Sequence, residues 1–185
     1  MKIVVGISGG SGAIYSLALL KVLQELKIET HLVVSTMGEY VMDHECGVKL
    51  DELKSMATYF HDNKDFTAPI ASGSFKVNGM VIVPCSMKTL SSVSNGFSES
   101  LLTRAADVNI KEGRKLVLVP RETPLSPIHL ENMLKLSKIG VTILPACPGF
   151  YNHPERIDDI VYNIVGRILD QIGVDNDLFG RWQGV

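Results

Sequence analysis

Several short runs of the chain combine residue types and spacings suited to binding anions or moving protons. The first is Gly6–Ala13, with the sequence G-I-S-G-G-S-G-A. Its glycines let the backbone approach an anion closely, and the helix predicted to follow presents free N–H groups and the positive end of its dipole. The spacing is not G-x-G-x-x-G, and after the second predicted strand no acid occurs before Glu39, although an NAD site needs one to bind the ribose. The run therefore predicts a phosphate site for a mononucleotide, with a plain tight turn as the alternative.

A second run, Pro84–Leu90 with the sequence P-C-S-M-K-T-L, directly follows a predicted strand. Hydroxyl groups, a lysine and a new helix N-terminus meet there, and ligands of open α/β sheets bind at the carboxyl ends of strands. The run predicts ligand binding. The alternative is an ordinary N-cap at Ser86, with Lys88 on the solvated surface.

A third run, P-R-E-T-P, follows the next predicted strand and contains Arg121 and Glu122. The carboxylate is suited to general acid–base catalysis, and burial would raise its pKa towards neutrality. The arginine is suited to holding a phosphate or orienting a planar ring. The alternative is a surface ion pair, which contributes little to stability.

The remaining candidates are cationic or phenolic. Arg104 and Lys111 are seven residues apart and share one helix face. Arg167 lies within the apolar stripe of the last predicted helix, where a buried guanidinium needs an anionic partner. Tyr151 follows P-G-F after the fifth predicted strand. The alternatives are a solvated helix face for the first pair and core packing for the tyrosine.

Buried strands separated by helices must position these groups. Five short runs are rich in Val, Ile and Leu and apolar on both faces, as buried parallel strands are: Ile3–Ile7, His31–Ser35, Met80–Pro84, Leu116–Val119 and Val141–Leu144. Helices are predicted from Ala13 to Leu26, from near Ser98 to Lys111, between the caps Ser126 and Gly140, and from Ile157 to the cap Gly173. The alternation predicts an α/β fold: a doubly wound, Rossmann-like or flavodoxin-like parallel sheet with helices on both faces. The segment Thr58–Lys76 is predicted to be a long functional loop.

Length and composition limit the classes of function. A chain of 185 residues, 45% hydrophobic and 21% charged, fits a single domain. Residues 175–185 are expected to form a C-terminal tail that docks at the active site or at a subunit contact. The net charge of −2 gives no support for nucleic acid or an anionic membrane as the main partner. No apolar run is long enough to span a bilayer and no signal peptide is visible, so we expect a cytoplasmic protein.

Neither a disulfide framework nor a metal site is predicted. Cys46, Cys85 and Cys147 are odd in number and far apart. His44 and His129 lack the spacing of metal ligands. We expect reduced, mostly buried thiols.

Seven runs keep their order across nearly the whole chain and together identify a resemblance. They are G-I-S-G-G-S-G-A-I-Y, A-P-I-A-S-G-S, V-P-C-S-M-K-T-L, L-L-T-R-A-A-D-V, K-L-V-L-V-P-R-E-T-P-L, I-H-L-E-N-M-L-K-L and P-G-F-Y. In these runs the chain resembles the flavin prenyltransferases of the UbiX type, historically described as 3-polyprenyl-4-hydroxybenzoate or phenolic acid decarboxylase subunits.

The resemblance implies a reaction. Such enzymes bind reduced FMN and a dimethylallyl phosphate, and they join the prenyl group to flavin N5 and C6. The prenylated FMN is the cofactor of a UbiD-type partner decarboxylase. No metal is needed, and family members are homo-oligomers, often dodecamers, with the site at subunit contacts.

The resemblance also implies roles for single residues. FMN would be bound by Gly9, Gly10, Ser11, Ser35, Ser86, Met87, Lys88, Thr89 and Arg121, with Ser11 near flavin N5. The prenyl donor would be bound by Arg104, Lys111, Arg121, Tyr151, Arg167, Trp182 and Phe66. Catalysis would rest on Glu122 as the acid–base group, together with Ser11, Arg104 and Lys111. Some members have a tryptophan where this chain has Phe66, which keeps an aromatic face for an allyl cation.

Two other functions remain as alternatives. Flavin-dependent peptidyl-cysteine decarboxylases share a similar fold, but they typically carry a P-A-S-A-N-T-like segment and a catalytic histidine, whereas this chain has P-C-S-M-K-T. A non-enzymatic FMN carrier, or an accessory subunit of an aromatic acid decarboxylase, would have no use for a second anion site. The sequence leaves open whether the product serves ubiquinone synthesis or phenolic acid breakdown, and whether the donor is a monophosphate or a diphosphate.

Overall fold

The short apolar runs form one six-stranded sheet in the computed structural model, which describes residues 1–184. The strands are β1 (Lys2–Ile7), β2 (Glu29–Val34), β3 (Tyr59–His61), β4 (Gly79–Cys85), β5 (Lys115–Pro120) and β6 (Thr142–Ile143). All neighbouring strands are parallel, in the order β3-β2-β1-β4-β5-β6. This order defines a doubly wound, Rossmann-type sheet, in which the strand order reverses between β1 and β4 and ligands bind outside the carboxyl ends there. The predicted fold class is confirmed.

Helices cover both faces of this sheet. They are α1 (Ala13–Glu25), α2 (Thr36–Cys46), α3 (Leu50–Ser55), α4 (Met87–Ser94), α5 (Leu101–Lys111), α6 (Pro127–Lys138) and α7 (Ile157–Ile172), with a 3₁₀ turn at Pro69–Ala71. Local capping decides where several begin, because Ser35, Ser86, Ser100 and Ser126 each accept a hydrogen bond from the backbone N–H three residues further on. Within the described part of the chain, every helix is too short or too polar to cross a membrane.

Alternate strand residues pack into two separate apolar layers. On one face, Ile3 and Val5 of β1 pack with buried side chains of α1 and α7. On the other face, Val4 of β1 and Ile82 of β4 pack with buried side chains of α4, α5 and α6. Since both faces are covered, the strands are apolar throughout and show no alternation of polar and apolar residues.

The end of β2 and the start of α5 differ from the prediction, because a serine caps a helix at each of these positions. Strand β2 begins at Glu29, earlier than expected, and stops before Ser35. The Ser35 side chain caps α2 instead of continuing the strand. The helix expected from Ser98 begins at Leu101, because Ser100 is its N-cap.

Short elements were missed where tertiary pairing creates them. The segment Thr58–Lys76, expected to be a loop, contains β3 and the 3₁₀ turn. Strand β3 has three residues, and it is defined by its hydrogen bonds to β2 rather than by a recognisable pattern in its own sequence. Of the predicted strand Val141–Leu144, Thr142–Ile143 forms the ladder with β5, and the Leu144 N–H donates to the Leu118 carbonyl at 2.8 Å. Helix α2 was expected around His44 without defined ends, and α3 was not predicted.

The chain after α7 returns along that helix. The ring of Phe179 packs on Gly166, where any Cβ atom would collide with it. The guanidinium of Arg181 donates to both carboxylate oxygens of Asp170, at 2.8 and 3.0 Å. These contacts anchor residues 176–181 of the tail; residue 185, the last of the predicted tail 175–185, lies outside the described residues.

Candidate active site

The turns after β1 and β4 are tied together by Ser8. Its hydroxyl donates to the carbonyl of Pro84 and accepts from the N–H of Ser86, both at 2.8 Å. Ser8 is 1% exposed, so these bonds lie away from water. A Cβ atom at Gly10 would already touch Pro84, at 3.4 Å. Ser8 was not identified as a site residue from the sequence. Nothing in the glycine run shows whether a serine hydroxyl there binds a ligand or links two turns by hydrogen bonds.

A cavity of about 370 Å³ lies beside these two turns. Its lining residues include the N-caps of three helices, Ser35 of α2, Ser86 of α4 and Ser100 of α5. Each helix contributes free N–H groups and a positive dipole end, so their convergence favours an anionic ligand. Asn63 holds the third helix in place, because its backbone and side-chain oxygens accept from the N–H groups of Leu101 and Leu102.

Five of the residues expected to bind FMN line this cavity: Gly9, Ser35, Ser86, Lys88 and Thr89. Lys88 is 80% exposed and its ammonium lies 2.9 Å from the Glu99 carboxylate. Met87 is not among the lining residues, and its side chain packs partly against the core beneath α4, so its backbone is the part that can meet a ligand. The lysine is thus a charge at the rim that can turn towards a ligand.

The helix N-terminus after the glycine run is filled by a carboxylate of the protein itself. Glu45 of α2 accepts hydrogen bonds from the N–H groups of Gly12 and Ala13, at 2.8 and 2.9 Å. Burial opposes its charge, but hydrogen bonds from Ser11, Ala13 and Gly12, with the Arg121 guanidinium nearby, outweigh burial and hold the pKa of Glu45 below its usual value. In the protomer this helix N-terminus is therefore not open to the phosphate expected there, whereas the N-termini of α2, α4 and α5 line the first cavity. Glu45 was missed because it is far from the turn in sequence.

We expect Gly9→Ala to disturb the cavity more than a Cβ atom normally would. The new Cβ would lie 2.5 Å from the Cβ of Met37, which cannot rotate away because it is fixed to the first turn of α2. We expect the free energy of unfolding to fall by about 1–3 kcal/mol and FMN binding to weaken by about 10-fold or more. Chemical denaturation and flavin fluorescence titration measure the two effects.

Gly180→Ala is the matched control, because the nearest atom to its new Cβ is 3.8 Å away. It should leave FMN affinity unchanged. Equal effects of the two variants would show that Gly9 has no special place at the cavity.

Arg121 and Glu122 follow β5 at the same edge of the sheet. The Arg121 Nε–H donates to the carbonyl of Ser11 at 3.2 Å, which joins the β5 turn to the glycine turn. The Glu122 carboxylate accepts from the N–H of Thr123 at 3.0 Å. Both side chains are exposed, so the protomer alone does not provide the burial expected for Glu122.

Arg104 and Lys111 of α5 face the segment of the 3₁₀ turn. The Arg104 Nε–H donates to the carbonyl of Ala71 at 3.1 Å, and its guanidinium pairs with Asp107 at 2.8 Å. Lys111 pairs with Glu112 beside Gly73. Both cations already have carboxylate partners in the protomer.

Arg167 and Tyr151 line a second cavity, of about 230 Å³, that follows β6. Arg167 is exposed on α7, which corrects the expectation of a guanidinium buried in the apolar stripe. The four residues predicted to grip the prenyl phosphate thus fall into two groups within one protomer, one on α5 and one at this cavity. The sequence could not reveal this separation. Residue spacing shows which side chains share a helix face, but not which other element that face packs against.

Aromatic side chains differ in their placement. The Trp182 ring meets Tyr151 edge-on, with ring centroids 5.9 Å apart. Phe66 is half-exposed in the loop before the 3₁₀ turn, and residues 1–184 do not bring it to either cavity. Burial raises the pKa of the Tyr15 phenol, and the nearby Cys147, which lines the second cavity, raises it further.

The cysteines are unpaired, but the expectation that they are mostly buried is wrong: Cys85 is buried, Cys46 is half-buried and Cys147 is exposed. Burial raises the pKa of Cys85 to about 12, so this thiol is unreactive at neutral pH. Across the described residues, no group of three or more His, Cys, Asp or Glu side chains could hold a metal ion.

Comparison with known proteins adds independent findings. Residues 1–169 match the Flavoprotein family. "Flavin prenyltransferase UbiX" of Methanocaldococcus jannaschii is 48% identical over 182 residues, covering 98% of each chain. The structure of a dodecameric FMN-dependent UbiX-like decarboxylase from Escherichia coli O157:H7 matches with a TM-score of 0.97 at 50% identity, over all of both chains. The structure of AnUbiX (PadA1) in complex with FMN and dimethylallyl pyrophosphate matches with a TM-score of 0.97 at 44% identity, over all of this chain and 98% of the other.

Proposed function

This chain belongs to the Flavoprotein family and, within it, to the UbiX-type flavin prenyltransferases, and we propose that it joins a dimethylallyl group from dimethylallyl phosphate to N5 and C6 of reduced FMN. One observation carries this proposal: two candidate anion sites lie at the same edge of the sheet, one at three helix N-termini and one beside Arg167 and Tyr151. An acceptor with a phosphate tail and a donor with a phosphate leaving group require two such sites. A related structure holds FMN together with dimethylallyl pyrophosphate.

The first cavity fits FMN. Ser86, Met87, Lys88 and Thr89 at the start of α4 would hold its phosphate and ribitol, with the N-terminus of α2 at Ser35 close by. Because Gly9 and Gly10 have no side chains, FMN could approach the backbone closely there. A Cβ atom at these positions would contact Met37 and Pro84. As the family resemblance implies, Ser11 would lie near flavin N5 and Arg121 against the flavin. The hydrogen bond from the Arg121 Nε–H to the Ser11 carbonyl keeps these two residues next to each other. Reduced FMN supplies the nucleophilic N5 and C6 atoms.

The second cavity would hold the departing phosphate. Breaking the C–O bond of the donor leaves negative charge on the phosphate, which Arg167 and the Tyr151 hydroxyl would stabilise. Forming the two new bonds removes one proton from N5 and one from C6. The prenyl chain takes up one of these protons, and the other leaves with the phosphate. Glu122, exposed at the end of β5, would carry a proton between these positions as the acid–base group.

Arg104 and Lys111 would complete the donor site from another subunit. Within the protomer they lie on a different element from Arg167, so a second copy of the chain is the natural way to bring the two groups together. The exposed apolar side chains of α6 supply a surface for such contacts: Ile128, Leu130 and Leu134 are each more than half exposed. We propose a homo-oligomer, and specifically a dodecamer, as described for the Escherichia coli relative.

Leu134→Glu is expected to break this assembly. Placing a carboxylate in an apolar subunit contact costs several kcal/mol of desolvation, so the large species should give way to smaller ones. Analytical ultracentrifugation measures the change, and prenylated FMN formation should fall with it. Lys138→Glu, on an exposed polar position of the same helix, is the control and should leave the assembly intact. An unchanged sedimentation profile for Leu134→Glu would contradict an interface on α6.

The product, prenylated FMN, would serve a UbiD-type decarboxylase as its cofactor. We place the enzyme in the cytoplasm, because its three cysteines are free and free thiols suit a reducing compartment.

The test is an anaerobic product assay. Purified protein given reduced FMN and dimethylallyl monophosphate should yield FMN heavier by one C5H8 unit, detected by mass spectrometry. The diphosphate is tried in parallel to identify the donor. FMN returned unaltered with both donors would contradict the transferase and favour a flavin carrier.

A further inference from the structure

Asn163 is a buried polar residue on α7 whose side-chain nitrogen lacks a hydrogen-bond partner. The residue is 4% exposed, and within residues 1–184 its Nδ2 atom meets no acceptor. Leaving a buried amide donor unpaired is unfavourable, and almost all such groups in native proteins are satisfied. An aliphatic side chain of similar size would fit a helix buried on this face without that cost. The amide therefore points to a role outside the folding of the protomer.

The same residue lines the second cavity together with Arg167 and Tyr151. Asn163 and Arg167 are four residues apart on α7, so their side chains share one face of the helix. Leu144 and Pro145 form an apolar part of the lining. The polar groups of the cavity are thus a guanidinium, a phenol hydroxyl and a primary amide, all of which can donate hydrogen bonds.

The charge of Arg167 is compensated only in part within the protomer. Asp170, the nearest acid along α7, is held by both terminal nitrogens of Arg181. After the hydrogen bond from Arg181, the nearby Arg167 charge also lowers the pKa of Asp170, so the two groups interact without forming an ion pair. Across the described part of the chain no carboxylate forms an ion pair with Arg167. A carboxylate at position 163 would neutralise Arg167, whereas an amide leaves its positive charge available. This arrangement suits a ligand that is anionic and rich in oxygen acceptors.

We propose that Asn163 binds the phosphate of the prenyl donor, its Nδ2–H donating to a phosphate oxygen beside Arg167 and Tyr151. No hydrogen bond holds the nitrogen where it lies, so rotation of the amide about χ2 presents an N–H to the cavity without breaking a bond. The inference rests on the proposed function for the identity of the ligand. Asn163 is not among the donor-binding residues that the family resemblance implies.

Binding to the FMN-loaded protein tests the proposal without turnover. With oxidised FMN bound, the affinity for dimethylallyl monophosphate and for inorganic phosphate is measured by isothermal titration calorimetry. Asn163→Leu should raise the Kd for both by about 10-fold, as expected for a hydrogen bond to a charged group. Asn163→Asp should raise it by about 100-fold, because a carboxylate also repels the phosphate and neutralises Arg167. The Kd for FMN should stay within about two-fold of wild type in both variants.

Thermal unfolding separates this role from a structural one. Asn163→Leu removes an unpaired buried amide, so its Tm should equal or exceed that of the wild type, while phosphate binding weakens. Asn109→Leu is the control: the Nδ2 of this buried amide of α5 donates to the carbonyl of Ala105 at 2.8 Å, while its Oδ1 has no partner within residues 1–184. Losing the Nδ2 hydrogen bond should lower the Tm, and phosphate affinity should stay unchanged because Asn109 does not line the second cavity.

Each outcome decides one question. Phosphate affinity in both Asn163 variants within about two-fold of wild type would overturn the proposal. So would a wild type that binds neither dimethylallyl monophosphate nor inorganic phosphate. A wild type that binds the monophosphate at this cavity but forms no prenylated FMN would remove the proposed function and leave the role of Asn163 in anion binding standing.

Discussion

Glu122→Gln is expected to slow the formation of prenylated FMN by about 10²–10³-fold, while FMN affinity stays within about two-fold of wild type. Glutamine has nearly the same shape but cannot take up or release a proton at neutral pH. Its side-chain oxygen can still accept from the Thr123 N–H, which Glu122 does at 3.0 Å, so the turn after β5 should keep its form. Single-turnover kinetics under anaerobic conditions, followed by mass spectrometry, measure the rate, and flavin fluorescence measures the affinity.

A matched substitution elsewhere tests whether the loss is specific. Glu25→Gln, at the exposed end of α1, changes the net charge in the same way and should retain full activity. If Glu122→Gln is as fast as the wild type, the carboxylate does not carry the proton and the assignment of the acid–base group is wrong.

Arg167→Met is expected to lower kcat/KM for dimethylallyl monophosphate by about 10²–10³-fold, again with little change in FMN binding. The guanidinium lines the second cavity beside Tyr151, and within residues 1–184 no carboxylate forms an ion pair with it. Under the proposed function its charge would therefore stabilise the leaving phosphate. Methionine retains much of the alkyl length but loses both charge and donors. Arg167→Lys should recover part of the activity, because a lysine keeps the charge but not the planar set of donors.

The control for this prediction lies at the start of the same helix. Arg156 pairs with Asp158 at 2.9 Å and is largely exposed, so Arg156→Met removes a surface ion pair that contributes little. Its kcat/KM should match that of the wild type. An Arg167→Met enzyme with wild-type kcat/KM would place the donor's phosphate somewhere other than the second cavity.

Most of the sheet could be predicted from local pattern. The runs that became β1, β4 and β5 are buried on both faces, and such strands are recognisable because they are apolar throughout. Elements whose existence depends on a partner were missed. Strand β3 is three residues long and is defined by pairing with β2, so its own sequence contains no signal strong enough to predict it.

The candidate site was predicted in its parts rather than in its arrangement. The turn containing Ser86 lines the first cavity, because a polar run after a buried strand must emerge at the sheet's carboxyl edge. That it binds a ligand stays a prediction. The glycine run was expected to bind phosphate, yet Glu45 occupies the helix N-terminus there. A carboxylate from another helix competes for the same N–H groups, and its approach depends on how α2 packs on α1.

The amino-acid sequence by itself determined the doubly wound α/β class, the positions of the polar turns after the strands, and the family. Each of these can be recognised from short stretches of neighbouring residues: apolar runs for buried strands, capping residues for helix ends, and motifs in a fixed order for the family. Tertiary structure alone decided that three helix N-termini converge on one cavity, that Glu45 caps α1, and that Arg104 and Lys111 lie apart from Arg167. These arrangements depend on which surfaces of distant elements come into contact. Hydrogen bonds and charges act over a few ångströms in space, and that proximity is created only when the two apolar layers pack onto the sheet.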